Sequence, residues 1–121
     1  MPDIKLSLIV LRSKDIDSLR IFYELLGFSF SQEQHGNGPI HYASTNREVV
    51  IELYPTLKKN VDNTLIGFKV SNLEALLHGI SAEYIPKPPS ETSHGKAVFL
   101  RDPDGRLIRL EEFPKQDHNL Y

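Results

Sequence analysis

Two segments of the chain, residues 8–19 and 65–76, read as two copies of one element. They align at a constant offset of 57 residues, the distance from Leu8 to Leu65. The same offset continues into both halves and pairs Asp15 with Asn72, Tyr42 with Phe99, and Glu52 with Arg109. A single register over most of both halves predicts a tandem of two similar modules.

The length of the chain limits how these modules can fold. A chain of 121 residues with 40% hydrophobic content can bury one compact core but is too short for two independent domains. We therefore expect one domain over residues 1–121, with module one at about 4–54 and module two at about 64–113.

The composition argues against several classes of partner and site. The net charge of −2 comes without a block of like charges, so we expect no binding to nucleic acid or to a membrane surface. The absence of cysteine excludes disulfides, a thiolate nucleophile and thiolate-bound metals. No targeting signal or spanning apolar run is present, so we expect an unprocessed cytoplasmic protein.

Each module has the pattern of a strand, a helix and three further strands. In module one, Asp15 is a candidate N-cap, and apolar residues then recur at helical spacing up to Gly27. The predicted strands of module one are 4–12, 28–34, 40–45 and 48–54. In module two we predict strands at 64–70, around 83–85, 96–101 and 106–113, a helix at 72–78, and a proline-rich loop at 86–95.

Alternation along the strands divides the side chains into two faces. Ile66, Phe68 and Val70 form a set that faces the helices, and the other face is free to line a binding site. With the repeat, that second face carries Leu8, Val10, Arg12, Val50, Glu52, Tyr54, Leu65, Gly67, Lys69, Leu107, Arg109 and Glu111. We predict an α+β fold in which two β-α-β-β-β modules form a curled mixed sheet, a cup with the helices outside.

Two motifs on this framework resemble those of a known superfamily. Residues 22–28 read FYELLGF after Lys14-Asp15, and residues 99–108 read FLRDPDGRLI. Together with the tandem modules they resemble the vicinal oxygen chelate superfamily, which includes glyoxalase I, extradiol dioxygenases and bleomycin-resistance proteins. The resemblance implies a homodimer in which each cup takes one module from each chain.

The resemblance also implies where a metal ion would bind. Metal-dependent members carry His or Gln on the first strand of a module, seven residues before the helix-capping position, and Glu on the last strand. Here those positions are Leu8 and Leu65, then Glu52 and Arg109. Leucine has no lone pair and guanidinium is a fixed cation, so we expect no metal and no cofactor.

His41 and Tyr42 are the remaining candidates near the cup. Neighbours on a strand point to opposite faces, so only one of the two can line it. Because the repeat sets Tyr42 over Phe99, we expect Tyr42 to pack and His41 to line the cup. The other histidines, which show no ligand spacing, are His35, His78, His94 and His118.

The charged side chains of the cup suggest an anionic or zwitterionic small molecule, although Glu52 and Arg109 could instead pair as a structural tie. The candidate ligand-binding residues are Arg12, His41, Glu52, Tyr54, Lys69, Arg109 and Glu111. Our first hypothesis is a metal-independent binding protein similar to bleomycin-resistance proteins. The alternatives are a metal-dependent lyase or oxidoreductase of the glyoxalase or dioxygenase type, and a non-catalytic structural or regulatory dimer.

Overall fold

Each half of the chain builds one four-stranded mixed sheet and one main helix. A computed structural model describes residues 3–45, 48–59, 62–93 and 95–113. These residues fall into two compact units, one up to residue 60 and the other from residue 61. The elements are β1 (Leu8–Ser13), α1 (Ile16–Leu25), β2 (Phe30–Glu33), β3 (His41–Ser44), β4 (Val50–Pro55), β5 (Leu65–Val70), α2 (Leu73–His78), β6 (Ser90–Thr92), β7 (Gly95–Arg101) and β8 (Leu107–Glu112).

The two sheets have the same strand order. In module one the order is β1-β4-β3-β2, and in module two it is β5-β8-β7-β6. The first and last strands of each module pair in parallel, and the other pairs are antiparallel. The predicted α+β fold with β-α-β-β-β modules is confirmed. Each sheet is open and has two edge strands, so the predicted curl into a cup is not confirmed by the pairing.

Helix α1 begins and ends where the sequence predicts. The side chain of Asp15 accepts a hydrogen bond from the backbone N–H of Ser18 at 3.1 Å. The hydroxyl of Ser18 donates to the same carboxylate, and this bond lowers the pKa of Asp15. Gly27 follows the helix with a φ of 112°, a left-handed conformation that favours glycine. The buried side of α1 consists of Leu19, Phe22 and Tyr23.

Helix α2 is shorter and is held at its start by two side chains. Asn72, the repeat counterpart of Asp15, accepts a hydrogen bond from the N–H of Ala75 at 3.0 Å. Glu112 at the end of β8 accepts one from the N–H of Leu73 at 3.0 Å. These acceptors satisfy two of the four N–H groups that a helix start leaves without partners. They also tie α2 to the last strand of its module.

The structure differs from the sequence prediction between α2 and β7. The segment predicted as a strand around 83–85 is a 3-10 helix, Ala82–Tyr84, and β6 lies inside the predicted loop at 86–95. The prolines of that segment end at Pro89, one residue before β6 begins. Because β6 is an edge strand that pairs with β7 alone, a neighbouring proline removes no hydrogen bond from the sheet.

The turn between β7 and β8 is fixed by an ion-paired arginine. Asp102 Oδ1 accepts hydrogen bonds from the N–H groups of Asp104 and Arg106, at 2.9 and 3.0 Å. The guanidinium of Arg106 is 2% exposed and donates to Asp102 Oδ2 at 2.7 Å and Asp62 Oδ2 at 3.0 Å. The motif that carries the family resemblance therefore serves here to hold the turn.

None of the helices in the described ranges is both long enough and apolar enough to cross a membrane.

Candidate ligand-binding faces

The face of each sheet that the helix leaves uncovered is called here its open face. In β1, Leu8, Val10 and Arg12 are exposed, whereas Leu11 and Ser13 are buried. In β4, Glu52 and Tyr54 are half-buried, whereas Ile51 and Leu53 are buried. The same alternation occurs in β5 and in most of β8. The predicted division into two faces is confirmed for these four strands.

The hairpins that follow break the repeat register. Tyr42 pairs with Leu53, but Leu110, the repeat counterpart of Leu53, pairs with Val98 and not with Phe99. Leu53 lies 11 residues after Tyr42, whereas Leu110 lies 12 residues after Val98. The hairpin connection of module two is therefore one residue longer. Because successive side chains alternate, the extra residue moves Phe99 to the open face. The proposed equivalence of Tyr42 and Phe99 is wrong.

The expectation that Tyr42 packs against the helix is nevertheless confirmed. Its hydroxyl donates to the carboxylate of Asp17 on α1 at 2.6 Å, and this bond raises the pKa of Tyr42. The guanidinium of Arg20, also on α1, lies 5.1 Å from the centre of the Tyr42 ring. His41, the preceding residue, therefore belongs to the open face of module one, as predicted.

Three side chains meet on the open face of module one. The rings of His41 and Tyr54 lie 4.1 Å apart with an angle of 11° between their planes. The guanidinium of Arg12 lies 5.7 Å from the centre of the same tyrosine ring. Strands β1 and β3 flank β4 on opposite sides, so Arg12 and His41 approach Tyr54 from both sides. The structure thus brings together three of the predicted ligand-binding residues.

His41 also belongs to a cluster that the sequence analysis missed. Its Nε2 lies 3.3 Å from Glu33 Oε1, and the Nε2 of His35 lies 3.7 Å from the same oxygen. One ligand atom from each of these three residues lies within 4.8 Å of the other two. The statement that His35 shows no ligand spacing is wrong. The pairing of β2 with β3 across residues 34–40 would have shown that Glu33 is the direct partner of His41.

The three histidines outside the cluster are His78, His94 and His118. His78 is exposed at the end of α2. His94 and His118 lie outside the described residues.

The open face of module two carries a pair of opposite charges. Arg109 forms an ion pair with Glu111, and Glu111 is buried. Lys69 is the neighbour of Glu111 on the adjacent strand and is exposed. Glu52 belongs to module one, and its predicted pairing with Arg109 stays a prediction.

The residues at the superfamily's metal positions do not fit a divalent ion. Leu8 and Leu65 are exposed on their open faces, as a ligand at these positions would be, but their side chains offer no donor atom. Arg109 contributes a positive charge that is already paired with Glu111. Glu52 alone could bind a cation, and one carboxylate falls short of the three protein ligands of a typical catalytic site.

Module two also contains a concavity on its helix side. Its volume is about 440 Å³, and it lies between α2 and the strands β6 and β7. The lining residues include Leu73, Leu77, His78, Glu91 and Lys96. None of the predicted ligand-binding residues lines it, so it is a separate candidate position for a ligand.

No family profile matches the sequence, and no curated protein matches it either. Solved structures do match. The antibiotic-binding protein TnmS3 from Streptomyces sp. CB03234 superposes with a TM-score of 0.71 and 19% identity, over 93% of this chain and 98% of that chain. A lactoylglutathione lyase from Agrobacterium tumefaciens superposes with a TM-score of 0.66 and 16% identity, over 93% of this chain and 96% of that chain.

A third similar structure is a bleomycin resistance determinant encoded on the transposon Tn5. Its TM-score is 0.63 at 21% identity, and the match covers 91% of this chain and 98% of that chain. At such identities the likeness establishes the fold, and the activities of these proteins differ from one another. This chain therefore has the fold of the vicinal oxygen chelate superfamily, which glyoxalases and bleomycin-resistance proteins share.

Proposed function

We propose that this protein binds an anionic or zwitterionic small molecule on the open faces of its sheets and releases it unchanged. The observation that carries the proposal is the Arg12 guanidinium beside the Tyr54 ring, next to the exposed aliphatic side chains of Leu8 and Val10. A guanidinium is suited to bind a carboxylate or phosphate, and the aromatic and aliphatic groups are suited to cover an apolar body. The ligand is therefore an apolar or aromatic molecule with an acidic group.

The other predicted residues take defined roles in this proposal. Lys69 provides a second cation for the acidic group of the ligand. The Glu52 carboxylate accepts hydrogen bonds from the ammonium group of a zwitterion. His41 supports the binding surface through its stack with Tyr54. Arg109 and Glu111 neutralise each other, so they shape the face of module two and contribute little net charge.

Binding without chemistry is favoured by the missing metal donors. The metal-dependent lyase or oxidoreductase, our first alternative, would need an ion at Leu8, Glu52, Leu65 or Arg109, where the residues do not fit one. The structural or regulatory dimer, our second alternative, relies on a tie between Glu52 and Arg109. Arg109 forms an ion pair with Glu111 within its own module, and this pairing favours ligand binding over the tie. Two similar structures are described as an antibiotic-binding protein and a bleomycin resistance determinant.

We further propose that two chains form a homodimer in the cytoplasm and that each ligand lies in a cup made by one module from each chain. The support is the exposure of Leu8, Leu65 and Phe99 on the open faces. Burying exposed apolar side chains in an interface removes them from water and lowers the free energy of the complex. Light scattering after gel filtration should give twice the mass of the chain, and a monomer would contradict the shared cup.

The ligand proposal can be tested with two matched probes by NMR. 2-Naphthoate carries an aromatic body and a carboxylate, and 2-naphthamide has the same body without the charge. We expect naphthoate to bind more tightly and to shift the amide signals of Arg12 and Tyr54. Shifts confined to Leu77 and Lys96 would move the binding site to the concavity of module two. The absence of shifts at millimolar probe would contradict binding of aromatic acids.

Matched variants assign the charge that binds the probe. Arg12→Gln should weaken naphthoate binding by about tenfold and leave naphthamide binding unchanged, because a charge-assisted hydrogen bond contributes about 1.5 kcal/mol or more. Lys14→Gln removes an exposed cation just beyond β1 and serves as the control. Equal losses in the two variants would mean that general charge attraction holds the probe. Mass spectrometry of the recovered probe should show no chemical change.

A further inference from the structure

The cluster of Glu33, His35 and His41 has the chemistry of a metal site. It lies where β2 and β3 meet their connecting turn, on strands that carry none of the superfamily's metal positions. Two imidazole nitrogens and one carboxylate oxygen converge within 4.8 Å of one another. Two histidines and one carboxylate form the donor set of many zinc and iron centres.

The hydrogen bond on the far side of the His41 ring supports this reading. Nδ1 lies 3.1 Å from the carbonyl oxygen of Pro39, and a carbonyl oxygen can only accept. Nδ1 therefore carries a proton, and in the neutral ring Nε2 presents its lone pair to Glu33 Oε1 at 3.3 Å. Two acceptors at this distance need a proton or a metal ion between them. Metal-bound histidines are commonly held in this way, with the other ring nitrogen donating to a backbone carbonyl.

Burial differs across the cluster in a way that suits an accessible ion. His41 is 1% exposed and is held by its stack with Tyr54, so one donor is fixed before an ion arrives. The side chain of His35 is 73% exposed and that of Glu33 is 40% exposed. Three protein donors with an exposed outer side leave a coordination position for water or for another ligand.

We propose that Glu33, His35 and His41 bind one divalent transition-metal ion, such as zinc, cobalt or nickel, through Oε1 of the glutamate and the two Nε2 atoms. Imidazole nitrogen suits these ions better than calcium or magnesium, which prefer all-oxygen sites. The stack of His41 on Tyr54 connects this ion to the open face of module one. The proposal does not rest on the proposed ligand, because the cluster is complete within β2, β3 and their turn.

Cobalt(II) titration of the full chain, without an affinity tag and after dialysis against EDTA, tests the site. We expect one equivalent to bind and to produce the visible absorption of a nitrogen- and oxygen-ligated cobalt ion. His35→Gln and Glu33→Gln change exposed side chains and should each weaken binding by at least about tenfold. His78→Gln changes an exposed histidine outside the cluster and should bind cobalt like the unaltered chain.

Two results of the cobalt titration would overturn the proposal. One is the absence of cobalt binding at millimolar concentration. The other is equal affinity in His35→Gln, Glu33→Gln and the unaltered chain. Long-range proton–nitrogen NMR gives a second readout, in which zinc should shift the Nε2 signals of His35 and His41 together. A His41 Nε2 signal that shows a bound proton and does not respond to zinc would identify a simple ion pair with Glu33.

Discussion

His41 and Tyr54 stack with their ring centres 4.1 Å apart and their planes 11° from parallel. The two residues belong to neighbouring strands and share the open face of module one, and the stack holds the imidazole in one orientation. Tyr54, which we propose to bind the ligand, is therefore in direct contact with His41, which we propose to bind a metal ion. Loss of the Tyr54 ring should therefore affect the orientation of the imidazole.

Replacing Tyr54 tests this contact. Tyr54→Leu should lower the free energy of unfolding by about 1 kcal/mol through loss of the ring pair, and should also weaken cobalt binding. Tyr54→Phe keeps the ring and should change both quantities little. Urea unfolding and cobalt titration measure the two effects. Unchanged cobalt affinity in Tyr54→Leu would mean that the Pro39 carbonyl alone orients His41.

The ion pair of Arg106 and Asp102 should be important for stability. Asp102→Asn leaves a buried guanidinium without its nearest charge, and we expect the free energy of unfolding to fall by about 3 kcal/mol. Arg101→Gln removes an exposed guanidinium that donates to the carbonyl of Gly105 in the same turn, and should cost about 0.5 kcal/mol. Urea unfolding of both variants gives the comparison. Similar losses would show that the charge on Asp102 contributes little.

Asp15 should make the stability of α1 depend on pH. The pKa of Asp15 in the folded chain lies below its ordinary value of 3.8. The main cause is the hydrogen bond from the Ser18 hydroxyl, and the second is the hydrogen bond from the Ser18 N–H. The stabilisation is therefore complete above about pH 4 and is lost as the pH falls through the lower folded value. Asn also caps helices but carries no charge, so Asp15→Asn is the matched variant.

We expect urea midpoints of the unaltered chain and of Asp15→Asn to differ at pH 6 and to converge toward pH 3. The Ser18→Ala variant should lose part of the same pH dependence, because it removes the hydroxyl that donates to Asp15. A constant difference between the unaltered chain and Asp15→Asn across this range would show that Asp15 has the same pKa in the folded and unfolded chain.

The hairpin register of module two can be tested with two adjacent residues. Phe99 lies on the open face and is 43% exposed, whereas Leu100 is fully buried. Leu100→Ala should lower the free energy of unfolding by about 3 kcal/mol. Phe99→Ser should cost clearly less in the monomer, and should shift the monomer–dimer equilibrium if Phe99 is covered by a second chain. A larger loss for Phe99→Ser, measured at low protein concentration, would place Phe99 in the core.

Local signals in the sequence were sufficient for much of the fold. The caps at Asp15 and Asn72 and the alternation in β1, β4, β5 and β8 depend on neighbouring residues, so they could be predicted from spacing. The strand β6 could not, because its existence depends on hydrogen bonds from β7, which the composition of residues 86–95 does not encode. A strand at the edge of a sheet tolerates flanking prolines that would exclude it from the interior.

Part of the candidate site could likewise be predicted from local signals, and part of it depends on strand pairing. Arg12, Glu52, Tyr54 and Lys69 follow from alternation, and the structure places each on its open face. The cluster around Glu33 depends on which residues face each other across a turn, and that pairing cannot be read from the spacing of histidines alone. The repeat register predicts Glu52 as the partner of Arg109, whereas Arg109 pairs with Glu111, two residues along its own strand.

The extra residue in the connection between β7 and β8 determines which side chains β7 presents on the open face. Adding one residue to a turn exchanges the inner and outer side chains of the strand before it, while the first and last strands of the module keep their faces. The length of a turn therefore decides which side chains of that strand a module presents on its open face. In this chain the imidazole of His41 lies on the open face of module one, and the phenyl ring of Phe99 lies on the open face of module two.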